Sequence, residues 1–429
     1  MDIKIIKPIQ GGIIKAIASK SHAHRLLICA ALANSKTFIV CPELSEDINA
    51  TADCLKALGA VVRYESDGFF VTPLVQCEQK ENLVLNCGES GSTLRFLLPV
   101  CGALGLGVSF HMSGRLPMRP ITALYDEMAS HGCILSEQGV SPLSCTGQLK
   151  SGEYVLPGNI SSQYISGLLF ALPLISGDSL IRVNGILESR PYVDMTLDVL
   201  RLFGVSIFEE DNQVFRIAGG QEFRSPKTVT AEGDWSNAAF WLSAGAVSES
   251  GVTCTGLNIN SRQGDRAIID LLIRFGANVS YDYTENSVTV SSGKLRGIEI
   301  DAGDTPDLVP VLAAVAAVAE GTTIIRNAMR LRIKESDRLY ATAACLSDLG
   351  ADIKETDDGL IIVGKKSLSG GETESFNDHR IAMTAAIVST VCTGAVLIKN
   401  AEAVNKSYPV FFKDFNAVLG GSCIVCEVI

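Results

Sequence analysis

One short pattern recurs six times along this chain and constrains its fold more than any other feature: an apolar helix end running into glycine, followed by a β-rich segment. The copies close on Gly59, Gly132, Gly204, Gly276, Gly350 and Gly420, at intervals of 73, 72, 72, 74 and 70 residues. Each glycine stands where a helix needs a left-handed residue after its last turn, and the residues beyond alternate as a strand or hairpin, as in residues 61–71. A second helix precedes each copy, over residues 26–33, 94–103, 165–175, 238–247, 308–319 and 381–391. These stretches are apolar nearly all round, which predicts helices inside a domain, not lying on its surface. One unit therefore reads as buried helix, strand, amphipathic helix and strand hairpin. Six such units predict a pseudo-symmetric α/β protein with three units per lobe and a split near residues 232–234.

Composition limits the function classes. The chain has 429 residues, 47% hydrophobic and 19% charged, with no low-complexity tract, so disorder and fibrous classes are excluded. Its formal net charge of −11 repels polyanions, which argues against a nucleic-acid or anionic-membrane surface; an anionic ligand must be held by a local basic cluster. The uncharged stretch at residues 96–114 is broken by Pro99, four glycines and polar residues, so no membrane span is expected. The start has no apolar signal core, and a cytoplasmic location is expected. Thirteen cysteines scattered through apolar segments suit reduced thiols, and the lone Cys423-x-x-Cys426 lacks a second pair or a suitably spaced histidine for zinc.

Polar residues collect where the buried helices begin: residues 19–25 (SKSHAHR), 88–95 (GESGSTLR), 159–163 (NISSQ), 233–237 (GDWSN), 304–307 (DTPD) and 377–380 (NDHR). Helix starts present unpaired N–H groups and a positive dipole end, a natural anion site, although Ser, Asp and Asn there are also ordinary caps. The cations argue for more than caps. Lys20, Arg25, Arg95 and Arg380 lie near helix starts, where the dipole disfavours positive charge, and a bound anion gives them a purpose. If the repeats bring these ends together, they form an anion-binding cleft between two lobes. Arg330, Lys334 and Arg338 follow at i,i+4 spacing; on one helix they would repel, unless a ligand with several negative charges lay across them.

Absent motifs narrow the chemistry. There is no phosphate-binding G-x-x-x-x-G-K-[ST] loop, and residues 105–110 fail the dinucleotide fingerprint at its last glycine. The five histidines make no H-E-x-x-H pattern, so neither a metal nor a cofactor is expected. What remains is chemistry on small, highly anionic substrates.

Taken together, SKSHAHR at 19–25, RPI at 119–121, SSQ at 161–163, KESDRL at 334–339, NDHR at 377–380 and KSYP at 406–409 resemble the 5-enolpyruvylshikimate-3-phosphate synthase family, the 3-phosphoshikimate 1-carboxyvinyltransferases of aromatic amino acid and chorismate synthesis. The resemblance spans essentially the whole chain, in order. It implies two inside-out α/β lobes of three repeats, buried helices surrounded by sheets and outer helices, closing on substrate. The N-terminal strand would cross over, so that residues 1–19 and 232–429 form one lobe and 20–231 the other. It also implies a monomer whose partners are phosphoenolpyruvate and shikimate 3-phosphate. The family's shikimate 3-phosphate contacts match Ser21, Arg25, Ser161, Ser162, Gln163, Ser189, Asp307 and Lys334. Its phosphoenolpyruvate contacts match Lys20, Gly91, Arg119, Gln163, Arg338, Arg380 and Lys406. Lys20, Asp307 and Glu335 would carry the catalysis, the two carboxylates sharing the proton transfers and Lys20 serving the departing phosphate.

Three positions depart from the family's usual pattern. Glu89 stands where Asn is usual, and its carboxylate would repel an anion there unless paired with a neighbouring Arg, Arg95 being the nearest in sequence. Phe96 stands where Pro is common, and Arg330 where Asn is common. Two other readings stay open: enolpyruvyl transfer to UDP-N-acetylglucosamine, and a catalytically silent anion-binding member of the fold. The sibling UDP-sugar enzyme shares the repeats without the lysine-serine opening, the KESDR or the NDHR segment. Lys20, Asp307 and Glu335 together weigh against the silent reading.

Overall fold

A computed structural model describes residues 1–6, 9, 11–74, 82–211 and 213–418, with the backbone of 424–427. Twelve α-helices alternate between two roles among these residues. The odd-numbered ones are buried: α1 (Lys20–Leu32), α3 (Gly91–Leu104), α5 (Ser162–Ala171), α7 (Trp235–Val247), α9 (Val309–Ala316) and α11 (His379–Val388). The even-numbered ones bury one face only: α2 (Glu46–Ala57), α4 (Thr122–Ser130), α6 (Arg190–Leu202), α8 (Ile268–Phe275), α10 (Arg338–Asp348) and α12 (Phe411–Val418). In α8, Ile268, Ile269, Leu271, Leu272 and Phe275 face inward. In α7 nearly every side chain is buried, Trp235, Phe240 and Trp241 included.

The five described repeat glycines all adopt positive φ, from +78° at Gly204 to +106° at Gly59. Gly420 and Cys423 lie outside the described residues, as does the Cys426 side chain. At Gly276, φ is +101° and an added Cβ would run into the Lys294 carbonyl oxygen, so the repeat signature here is a steric requirement.

Each repeat contributes to a four-stranded sheet, six sheets in all among the described residues. In the second repeat, Leu83–Gly88 enters α3 and Val108–Met112 leaves it in parallel, and the Cys133–Leu135 and Leu143–Gly147 hairpin completes the sheet. The entering strand is absent from the unit expected from sequence. It is a short edge strand, only three residues long at Thr228–Thr230 and Glu299–Asp301, too brief for an alternation signal.

The chain divides into two compact units, 1–19 with 232–429 and 20–231. In the split unit, α7, α9 and α11 pack on one another within a single apolar core. In the 20–231 unit, α3 and α5 pack closely: Pro99 supplies no N–H to the Arg95 carbonyl, and Gly167, with no Cβ, lies against that oxygen. Two entering strands are exchanged. Gly12–Lys15 leads into α1 but pairs with Val252–Thr255, the strand after α7. Thr228–Thr230 leads into α7 but pairs with Thr37–Val40, the strand after α1. The strand Asp2–Ile5 pairs with Val396–Lys399 on one side and Ile424–Glu427 on the other. Ser19 N–H donates to the Glu232 carbonyl at 2.7 Å, and Asp234 N–H to the Ile17 carbonyl at 2.8 Å.

Candidate active site

Four of the helix starts expected to bind anions carry side-chain caps, whereas α9 has none. Ser90 Oγ accepts from Thr93 N–H, Ser161 Oγ from Gln163 N–H, Asp234 Oδ1 from Asn237 N–H and Asp378 Oδ1 from Arg380 N–H. A cap and a cation at one helix start are compatible, because the cap satisfies one N–H and leaves the rest of the first turn to a ligand.

In the split unit, a partly buried ionic cluster forms where α10 and α11 begin and the 3-10 turn Pro306–Leu308 runs into α9. Arg338, first residue of α10 and 1% exposed, serves three carboxylates. Its Nε donates to Asp378 Oδ2 at 2.7 Å, its Nη1 to Asp307 Oδ1 at 2.8 Å, and its Nη2 to Glu335 Oε2 at 2.7 Å. Arg380 Nη2 donates to Asp307 Oδ2 and its Nη1 to the Asp307 carbonyl, both at 3.2 Å; Lys334 Nζ lies 3.7 Å from Asp307 Oδ1. Burial alone would push the Asp307 carboxyl up, but Arg380, Lys334 and Arg338 together hold it well below the usual carboxylate range. Burial pushes the Lys334 ammonium down to about 8, against the pull of Asp307. Lys406 Nζ donates to the Asn377 carbonyl at 2.7 Å, beside the Asp378 cap.

The stripe of three cations expected on one helix does not form. Arg330 sits in the 3-10 turn Met329–Ile333 and donates to the Gly303 carbonyl, Lys334 to Ser336 are non-helical, and Asp337 caps α10 only at Arg338. Asp337 side-chain capping stops the helix from extending backward, so the i,i+4 repulsion argument has no helix to act on.

In the 20–231 unit, Lys20, first residue of α1, pairs with Asp47 Oδ2 at 2.8 Å. Arg25 is buried, with Nε donating to Thr196 Oγ1, Nη1 to the Ser21 carbonyl and Nη2 to the Tyr192 carbonyl. Its guanidinium stands 5.0 Å from the Phe96 ring centroid, and burial lowers its pKa to about 10. The Phe96 ring thus fills a packing role under Arg25, edge-on to Phe170. Arg95 and Arg119 converge on the Gly91 turn: an added Cβ there would sit 2.8 Å from Arg95 Nη1 and 2.9 Å from Arg119 Nη1. Arg95 Nη1 also donates to Gln163 Oε1 at 2.8 Å, and Gln163 Nε2 to Ser92 Oγ at 2.9 Å. Glu89 lays its carboxylate over Gly114, at φ +55°. Ser162 is 7% exposed at the start of α5, and Ser189 holds φ +54° just before α6.

Of the residues singled out in the sequence, Lys20, Ser21, Arg25, Gly91, Arg119, Ser161, Ser162, Gln163 and Ser189 fall in the 20–231 unit. Asp307, Lys334, Glu335, Arg338, Arg380 and Lys406 fall in the split unit. Sequence reasoning missed the counter-charges Asp47 and Asp378, and Asp265. Asp265 is fully buried, accepts from Ser236 Oγ, and has its pKa raised to about 6 by burial and by Asp307. A usable signal existed, since several buried cations require buried acids. Among the described residues no group of three or more His, Cys, Asp or Glu is arranged to hold a metal ion, and no helix is long and apolar enough to cross a membrane.

Six repeats of buried helix, outer helix and four-stranded sheet, with cations and carboxylates gathered at helix starts, define a repeat-built α/β fold with a charged site. A solved EPSP synthase from Acinetobacter baumannii matches it over 100% of both chains, with a TM-score of 0.82 and 25% identity. The chain belongs to the EPSP synthase (3-phosphoshikimate 1-carboxyvinyltransferase) family, whose model matches residues 3–415. It is 45% identical over 411 residues to the 3-phosphoshikimate 1-carboxyvinyltransferase of Clostridium kluyveri, covering 96% of this chain and 95% of that one. It is 44% identical over 414 residues to that of Clostridium acetobutylicum, with the same coverage.

Proposed function

We infer that this chain transfers the enolpyruvyl group of phosphoenolpyruvate to the 5-hydroxyl of shikimate 3-phosphate and releases phosphate. The observation that carries the reading is Asp307, a carboxylate kept ionised among Lys334, Arg338 and Arg380 at the helix starts. The 5-hydroxyl gives up its proton as its oxygen adds to the enol carbon, the methylene carbon takes a proton, and a tetrahedral ketal results. Loss of a proton from the new methyl group and departure of phosphate complete the transfer. Asp307 and Glu335 are proposed to share the proton transfers, and Lys20 to meet the leaving phosphate.

Arg119, Arg338, Arg380, Lys406, Gln163 and the Gly91 turn are proposed to hold phosphoenolpyruvate, whose carboxylate and phosphate suit planar guanidinium forks and helix N–H groups. Ser21, Arg25, Ser161, Ser162, Gln163, Ser189, Asp307 and Lys334 are proposed to hold shikimate 3-phosphate. The two compact units are proposed as the enzyme's two lobes, acting within a monomer. A cytoplasmic setting is proposed too, supported by ten described cysteines that are all free thiols. The test is phosphate release from phosphoenolpyruvate with shikimate 3-phosphate or UDP-N-acetylglucosamine as acceptor. Turnover with the first alone is expected; turnover with the second alone, or with neither, would overturn the reading.

A further inference from the structure

A buried hydrogen-bond chain links three helices of the 20–231 unit. His24 Nδ1 lies 2.7 Å from Thr51 Oγ1, Thr51 Oγ1 lies 2.6 Å from Thr93 Oγ1, and Thr93 Oγ1 donates to Ser90 Oγ at 2.7 Å. His24, Thr51 and Thr93 are 0% exposed and Ser90 is 1% exposed. Each hydroxyl has a single proton, and this sets the direction of the chain. The Thr93 proton is committed to Ser90, so the proton between the two threonines belongs to Thr51. The proton between Thr51 and His24 must then be on Nδ1. His24 is therefore the Nδ1–H tautomer, with a bare Nε2 that has no hydrogen-bond partner among the described residues. A buried polar atom left in this state costs stability.

The chain ends on functional ground. Ser90 caps α3, accepting from Thr93 N–H, and the next residue is Gly91. At its other end, His24 lies one turn beyond Lys20 on α1, and Thr51 one turn beyond Asp47 on α2. The Lys20–Asp47 ion pair and the His24–Thr51 hydrogen bond are thus successive rungs between the same two helices. Burial, with Lys20 and Arg25 nearby, keeps the His24 ring uncharged.

We propose that His24 is a positioning residue: as an obligate Nδ1–H donor it fixes, through Thr51 and Thr93, the Ser90 cap that shapes the Gly91 turn, while the same rung holds Lys20 and Asp47 in register. The proposal rests on the assignment of Lys20 and Gly91 to phosphoenolpyruvate. Thr51→Val keeps the shape and removes the relay, and Thr51→Ser keeps the hydroxyl. Because small misplacements of binding groups are costly, Thr51→Val should raise the phosphoenolpyruvate KM about tenfold while Thr51→Ser restores most of the loss. Shikimate 3-phosphate binding should change little in either. An unchanged KM in Thr51→Val, or equal losses in both variants, would overturn the proposal. Nitrogen NMR of the wild-type imidazoles, with His24 assigned by its absence from His24→Gln, should show Nδ1 protonated. A protonated Nε2 would overturn the chain's direction whatever the kinetics. A wild-type protein that releases no phosphate overturns the assigned function instead, and the NMR result still decides the chain.

Discussion

Replacing Arg338 by methionine tests the idea that the ionic cluster is a single electrostatic unit. The guanidinium is buried and makes hydrogen bonds to Asp378, Asp307 and Glu335, and Asp378 is itself 0% exposed. Although burial opposes its charge, those three carboxylates hold Arg338 above the usual arginine range. Methionine fills much of the volume and leaves the acids facing one another. Lys334 and Arg380 still neutralise Asp307 in part, but Asp378 loses its ion pair with Arg338. Breaking a buried pair from one side costs about 3–5 kcal/mol. For a unit of this size, each kcal/mol lowers Tm by about 2–4 °C, so a fall of roughly 6–20 °C is expected by calorimetry. The cost should also depend on pH. Asp307 has a depressed folded pKa, so its stabilising contribution is present above about pH 4 and is lost as pH falls toward the folded value. Arg338→Met shrinks that contribution, and the gap to wild type should narrow on acidification. A Tm within 2 °C of wild type at neutral pH, or a gap that widens in acid, would refute the reasoning.

Asp307→Asn and Glu335→Gln should each lower kcat by about 10²-fold or more while shikimate 3-phosphate still binds; near-wild-type kcat in both would remove them as proton carriers. Because Lys334 loses its proton near pH 8, the KM for shikimate 3-phosphate should rise above that pH, and Lys334→Arg should flatten the rise; a flat wild-type profile contradicts this. Gly276→Ala should destabilise the protein by about 1–3 kcal/mol in urea unfolding, through positive φ and collision with the Lys294 carbonyl. Glu89→Asn should shift the phosphoenolpyruvate KM only modestly, and a large rise in steady-state assays would show that the carboxylate supports the loop.

The repeat was legible because its marker is local: Gly59, Gly132, Gly204, Gly276 and Gly350 need nothing beyond their own backbone to require positive φ. The buried helices were legible because a stretch such as Trp235–Val247 has no polar face to turn to water. The entering strands were hidden, since three residues such as Glu299–Asp301 gain strand geometry only from a neighbour. Cations at helix starts could be read directly, but their partners could not. Asp47 meets Lys20 across two helices, and Asp378, although inside the NDHR segment, is committed to Arg338 forty residues earlier. The cation stripe failed because helical spacing was assumed where Asp337 caps the helix late.

The placement of Asp2–Ile5 between Val396–Lys399 and Ile424–Glu427 bears on how the protein is made. This strand leaves the ribosome long before either of its two neighbours. At about 5–20 residues per second, roughly 20–80 s separate them. Meanwhile the 20–231 unit has all its strands, Thr228–Thr230 included, and can finish folding while the split unit waits. Throughout that interval Ile3 and Ile5, both 1% exposed in the finished protein, lie on an unpaired edge. Nascent chains stalled before residue 396 should therefore present a folded insert flanked by an adhesive leading strand, the form on which a chaperone that screens for open β-edges would act.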